Sequence, residues 1–302
     1  MKIVILGQGD MLANLIEGAE DSGAKIVGVF RHERTSSNPI KLFFQDFIKS
    51  STALTLIKQK KLHEIKLKSA NSEEFKREIL RLNADIILVG TWREKLKKEI
   101  FNLPTLATIN VHPSLLPKYR GPNPYIQTIL HGEKYSGVTF HLMDERFDNG
   151  AILAQQKIEI LQSDTSKELK AKTVFQARLL CTELLKKLDE GIVMPVPQNE
   201  NEATYYPNIT GNEKMLNFEK QSSTEIINTV RALHPFLPCY ITHENNFYIV
   251  NPYKMKISDK KGPAGTVLEK DKNKMIIACK DEIALEMEDL KKYDFLTKFM
   301  VR

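Results

Sequence analysis

The 302-residue chain has one tryptophan and three cysteines, Cys181, Cys239 and Cys279, widely spaced and without metal-ligand spacing. An odd, scattered set of thiols excludes a disulfide scaffold and a thiolate metal centre, and suits reduced thiols in a cytoplasm. No apolar run approaches the ~20 residues of a membrane span, so no membrane association is expected. The opening Met1-Lys-Ile-Val-Ile-Leu-Gly7 is only strand length, soon meets Asp10 and lacks a signal-peptide cleavage pattern. With 14 glycines and 13 prolines the chain is too poor in both for a fibre or a low-complexity segment. No internal repeat is present. What remains, 42% hydrophobic and 27% charged residues, is an ordinary globular composition, long enough for a substantial core and two domains.

The formal charge of +6 permits an anionic partner without demanding one. It is spread out: residues 211–302 hold 15 Lys or Arg against 13 Asp or Glu. Clusters such as Lys58-Gln-Lys-Lys61 and Lys270-Asp-Lys-Asn-Lys274 read first as solvated faces.

The first half alternates strand and helix. Ile3–Leu6, Lys25–Phe30 and Asp85–Gly90 read as strands; Met11–Ala19 and Ser72–Leu82 read as helices, the latter with Ser72 as its cap and Glu74 in its first turn. This order predicts a Rossmann-like, mostly parallel sheet covered by helices. A helix over Asn123–Leu130, strands over Gly137–Met143 and Ile152–Ile160, and a long helix from Thr165 to Glu190 follow. Gly7-Gln-Gly9 after the first strand invites a dinucleotide reading, but Leu12 stands where the third glycine belongs, and a tight turn explains the pair better.

From Pro195 the texture changes. Pro195-Val-Pro-Gln-Asn-Glu-Asn-Glu202 reads as a linker, followed by a helix from Thr224 to Leu233 and short runs at Phe247–Val250, Ala264–Leu268, Met275–Cys279 and Ile283–Met287. Strands at that spacing predict a small, OB-like β-barrel. The expected organisation is a catalytic domain over 1–194, a linker over 195–212 and a barrel domain over 213–302.

The chemistry concentrates within the first of these parts, in Asn110-Val-His112-Pro-Ser-Leu-Leu-Pro-Lys-Tyr-Arg-Gly121, then Gly137-Val-Thr-Phe-His-Leu-Met-Asp144 and Asp148-Asn-Gly150. Leu106-Ala-Thr-Ile-Asn-Val reads as a strand, so Asn110 and His112 point to one face at its carboxyl end, where open parallel sheets bind ligands. An amide, an imidazole and a carboxylate suit acyl transfer to an amine. Asn110 can donate to the developing oxyanion, His112 can donate if protonated, and Asp148 can take the amine proton. Neither a metal nor a covalent intermediate is required. Taken alone, Asp148-Asn-Gly is a common turn sequence, and single histidines are usually structural. His32, His63, His131, His234 and His243 therefore stay unassigned, while alternation from Thr139 places His141 either in the same cleft or in the core.

The run Asn-x-His-Pro-Ser-Leu-Leu-Pro-x-Tyr-Arg-Gly, with Gly-Val-Thr and Asp-x-Gly downstream, resembles the 10-formyltetrahydrofolate-dependent formyltransferases. The resemblance implies that Asn110, His112 and Asp148 are catalytic and that 10-formyltetrahydrofolate is the co-substrate. It also implies a folate-pocket wall built from the Ser114 to Gly121 loop, the stretch Leu88 to Gly90 and the segment Asp144 to Asp148, with Leu88, Gly90, Ser114, Leu115, Leu116, Pro117 and Asp144 as its contacts. Gln198 with Glu202-Ala-Thr-Tyr, Arg231-Ala-Leu-His-Pro-Phe and Gly265-Thr-Val-Leu look like the carboxy-terminal domain of the methionyl-tRNA formyltransferases. That likeness implies initiator methionyl-tRNA as the acceptor, and no obligate protein partner. One departure points elsewhere: the region Arg31-His-Glu-Arg34-Thr-Ser-Ser-Asn-Pro-Ile-Lys41-Leu-Phe-Phe44 lacks the glycine-rich basic insertion of that group. Sugar-nucleotide N-formyltransferases share the trio, which makes an amino-sugar nucleotide the alternative acceptor. A folate deformylase, using water, is a third reading.

Overall fold

The computed structural model describes residues 1–36 and 51–292. One sheet contains β1 (Lys2–Gly7), β2 (Lys25–Arg31), β3 (Ile86–Gly90), β4 (Ala107–His112), β5 (Tyr135–Leu142) and β6 (Ile152–Glu159), in the order β2-β1-β3-β4-β5-β6. β1 pairs parallel with β2 and β3, β3 pairs parallel with β4, and β4 turns antiparallel to β5. β3 is buried along its whole length, and β1 from Ile3 onward, which is why their sequences are continuous apolar runs rather than alternating ones.

Among the described residues the helices of this part are α1 (Gly9–Asp21), α2 (Glu33–Ser36), α3 (Thr52–Gln59), α4 (Glu73–Leu82) and α5 (Lys98–Phe101). α4 begins where its sequence predicts, with the Ser72 hydroxyl accepting the Phe75 N–H and two glutamates in the first turn. It buries Phe75 and Ile79 in a cluster with Val4, Phe30 and Ile87. The Gly7-Gln8-Gly9 turn has a packing cause: a Cβ on Gly7 would lie 2.5 Å from the Gly90 carbonyl oxygen, and Gly9 adopts φ +56°. The segment after β2 is described only as far as Ser36, so the rest of the Arg31–Phe44 reading lies outside the described residues.

Later elements are α6 (Pro124–Leu130), α7 (Ser166–Asp189) and α8 (Ser223–Leu233), the last opened by a Ser222/Glu225 capping box. Seven short strands follow among the described residues: β7 (Tyr240–His243), β8 (Asn246–Ile249), β9 (Met255–Lys261), β10 (Val267–Lys270), β11 (Met275–Ala278), β12 (Ile283–Met287) and β13 (Lys291–Lys292). They form two sheets, β10-β11-β12-β9 and β13-β8-β7, with antiparallel pairing throughout. The mostly parallel sheet and the smaller C-terminal β domain that the sequence predicts are both present.

The chain divides into two compact units, 1–121 with 137–158 and 171–205, and 122–136 with 159–170 and 206–302. Hydrogen bonds explain why early segments group with the late ones: Ser166 Oγ donates to the Ala232 carbonyl, and the Arg231 guanidinium donates to the carbonyls of Leu161 and Asp164. Among the described residues no helix is long and apolar enough to cross a membrane. The three cysteines are free and buried, and burial pushes the thiols of Cys239 and Cys279 up to about 12.

Candidate active site

Strand register assembles the site. Phe30, Leu6, Val89, Asn110 and His141 are successive lateral partners across β2, β1, β3, β4 and β5. Lateral partners point to the same face, so one row passes from a hydrophobic core to an amide and an imidazole. His141 thereby resolves to both expected places at once, since it is 2% exposed and lies beside Asn110.

Hydrogen bonding fixes the tautomer of His141. Nδ1 lies 2.8 Å from the Leu142 carbonyl oxygen, which only accepts, so Nδ1 carries the proton. Nε2 is then the acceptor, at 3.0 Å, for an N–H of Asn110 Nδ2. Burial pushes this imidazole down to about 4, the nearby Asp148 charge opposing the shift. The ring is neutral at ordinary pH, and its lone pair holds the Asn110 amide with nitrogen turned inward. Nδ2 has a second hydrogen, which remains for a ligand oxygen.

His112 is placed differently from the expectation that it joins Asn110 on the oxyanion. Its Nε2 lies 2.8 Å from the Tyr119 carbonyl oxygen and its Nδ1 lies 3.4 Å from Asp148 Oδ1. The carbonyl commits Nε2 as a donor, so Nδ1 bears a proton toward Asp148 only in the cationic ring. Both nitrogens face Tyr119 and Asp148, because the loop after β4 folds back over the ring.

Asp148 sits between the two imidazoles, with Oδ1 4.0 Å from His141 Nε2. Its side chain is 13% exposed, and Oδ2 accepts the Gly121 N–H at 3.0 Å. The residue adopts φ +55°, an uncommon left-handed conformation outside glycine. Asp144 builds the preceding turn, accepting from the Arg146 N–H and from Asn149 Nδ2. Gly150 closes it: a Cβ there would lie 1.9 Å from the Leu142 carbonyl oxygen. The turn reading and the site reading of Asp148-Asn-Gly are therefore the same fact.

A cavity of about 70 Å³ opens on Asn110, His141, Asp144 and Asp148, walled by Val89, Trp92, Leu96, Met143 and Phe147. A second, of about 450 Å³, shares Met143, Asp144 and Arg146 with it and reaches Lys98. Of the expected pocket wall, Val89, Asp144, Arg146, Phe147 and Asp148 line the first cavity and Asp144, Glu145 and Arg146 the second. Leu88 is fully buried and Gly90 packs on Met11 and Leu15 of α1, because alternation sends Val89 to the cavity face instead. Ser114 donates to the Lys118 carbonyl, Leu115 covers Gly137, the Leu116 N–H bonds Thr139 Oγ1, and the Pro117 carbonyl accepts the Thr204 N–H. These four residues shape their own loop. Trp92 and Met143 also line the first cavity but lie outside the expected wall; the single tryptophan sits outside any strand pattern and carries no local signal.

The stretch read as a plain linker also belongs to this site. Gln198 Nε2 donates to the carbonyls of Asp148 and Gly150, at 2.9 and 2.8 Å, while Thr204 bonds the backbone of Tyr119 and Arg120. Among the described residues no group of three or more His, Cys, Asp or Glu is placed to hold a metal ion.

An open α/β sheet that ends a central strand in a fixed amide donor, with an imidazole and a carboxylate against it, offers the groups that transfer to or from a carbonyl needs. Residues 1–185 match the family model described as formyl transferase, and residues 208–294 match its C-terminal domain. The chain belongs to the formyl transferase family and is a one-carbon transferase. The methionyl-tRNA formyltransferase of Caldanaerobacter subterraneus subsp. tengcongensis is 32% identical over 283 residues, 92% of this chain and 88% of that protein. The enzyme of that name from Kosmotoga olearia is 31% identical over 93% of this chain and 88% of its own length. Among solved structures, an N-formyltransferase from Helicobacter canadensis, in complex with folinic acid and dTDP-3-aminofucose, superposes with a TM-score of 0.70. It covers 97% of this chain and 100% of its own, at 20% identity, a likeness of fold.

Proposed function

We propose that this enzyme transfers the formyl group of 10-formyltetrahydrofolate to the methionyl amino group of initiator tRNA. The observation that carries the reading is the match to methionyl-tRNA formyltransferases over nine-tenths of both chains, the C-terminal domain included. The proposed organisation is a catalytic domain over 1–194, a linker over 195–212 and a β domain over 213–302.

The small cavity and its larger neighbour offer an apolar side, Val89, Trp92, Met143 and Phe147, beside polar Asn110, Asp144 and Asp148, and the indole N–H of Trp92 is a buried donor without a hydrogen-bond partner among the described residues. Residues Val89, Trp92, Met143 and Asp144 would hold the folate, which supplies an activated formyl carbon. Asn110 directs its remaining N–H to the formyl oxygen, where one well-placed donor is worth roughly 3–4 kcal/mol. Asp148 accepts the proton of the attacking amine, directly or through a water. His112, anchored on Tyr119, keeps that carboxylate turned toward Asn110 and His141.

The alternative acceptor, an amino-sugar nucleotide, is favoured by the sequence after β2, which carries cations but no glycine. The test is release of tetrahydrofolate from 10-formyltetrahydrofolate in parallel with methionyl-initiator-tRNA, a panel of amino-sugar nucleotides, and buffer alone. Product with the charged tRNA only supports the proposal. Product with a sugar nucleotide only, or with buffer alone, replaces it.

A further inference from the structure

Every polar group of the Gln198 side chain is committed. Both amide hydrogens go to main-chain carbonyls of the Asp148 turn, 2.9 Å to Asp148 and 2.8 Å to Gly150. Oε1 accepts from the Arg120 guanidinium, at 2.8 Å from Nη2 and 3.3 Å from Nε. Facing that cation, the amide cannot flip without setting NH₂ against the guanidinium and an oxygen against two carbonyls. Arg120 is itself held by Glu200 through both Nη atoms.

The turn so held has internal hydrogen bonds to Asp144 and a strained residue at Asp148. Asp148 is a non-glycine residue at φ +55°, a conformation that persists only where surroundings impose it. Its carboxylate has a single hydrogen bond to the main chain, from Gly121, and otherwise faces two imidazoles at 3.4 and 4.0 Å. The same stretch of chain fixes the opposite side, because the Tyr119 N–H donates to Thr204 Oγ1 and the Tyr119 carbonyl receives His112.

We infer that Gln198 is a positioning residue for formyl transfer, acting through the main chain of Asp148 to aim its carboxylate. It touches no reacting atom, and the inference rests on the role given to Asp148 above. Two variants separate it from a general structural role. Gln198→Ala removes both donors; Gln198→Glu also removes them while keeping the side-chain length and an oxygen for Arg120, and thermal stability separates loss of aim from loss of fold in each.

The measurement is a double-mutant cycle on formyl transfer with Asp148→Asn, alongside KM for the folate and thermal stability. The expected result is a kcat lowered about 10- to 100-fold in both Gln198 variants, with KM changed less than about threefold. Either Gln198 change should then cost nothing further in the Asp148→Asn background. Losses that multiply in the double variants, or a kcat within twofold of the parent in Gln198→Glu, would overturn the inference alone. Full activity in Asp148→Asn by itself would instead overturn the role of Asp148.

Discussion

Replacing His141 by phenylalanine isolates the electrostatic cost of this site. The imidazole is buried and held neutral, its proton affinity pushed down to about 4 from the ordinary 6.5. In the unfolded chain it takes up a proton below about pH 6.5, whereas the folded protein refuses one until about pH 4. The unfolded state thus binds more protons across this window, so stability falls as the pH is lowered through it. Between about pH 7.5 and pH 5 this residue alone should cost the folded protein about 2 kcal/mol. Urea unfolding at several pH values, compared between the parent and His141→Phe, measures it. His32 and His234 are also pushed down by burial, but their contributions are common to both proteins and cancel. Glu78, Glu168 and Glu269, held near 2 by hydrogen bonds, stay charged throughout. The parent should lose about 2 kcal/mol more than the variant on acidification; parallel curves would refute a neutral, buried His141. Phenylalanine also removes the acceptor that orients Asn110, so kcat should drop about five- to tenfold for one lost neutral hydrogen bond.

Other changes probe separate parts of the site. Asn110→Ala should lower kcat by about 10²–10³ with the circular dichroism spectrum unchanged, and near-normal turnover would remove the oxyanion assignment. Gly150→Ala forces a Cβ onto the Leu142 carbonyl oxygen and should cost about 3 kcal/mol in thermal unfolding; an unaltered melting temperature would contradict the close approach. Binding of charged initiator tRNA should weaken steeply with salt, the logarithm of affinity falling in proportion to the phosphates contacted. A flat response, seen by filter binding, would argue for a small acceptor.

Much of this arrangement is legible in the sequence, and the illegible parts have identifiable causes. Asn110 and His112 were placed by strand alternation, and α4 by its serine cap, both signals that lie within a few residues. The phase of Ile86-Ile-Leu-Val-Gly90 was not readable, because a strand buried on both faces carries no polar alternation; Leu88 and Val89 are equivalent until the sheet is built. His141 needed the β4–β5 register, which local sequence does not encode. Pro195–Glu202 is polar and without period, so its hydrogen bonds to the Asp148 turn were invisible. The family resemblance picks out Gln198 by residue type, but where its amide ends is a tertiary fact.

The row from Phe30 to His141 ties chemical function to folding accuracy. On β4, Ile109 and Val111 point to one side, fully or almost fully buried, and Asn110 and His112 to the other. A slip of one residue would exchange the pairs, setting an amide and an imidazole into hydrocarbon and leaving Ile109 and Val111 on the candidate-site face. Misfolded copies with a half-assembled, leaky site are therefore excluded by the same apolar side chains that drive collapse. Selection for a functional strand here is at once selection against its frameshifted neighbours in conformational space.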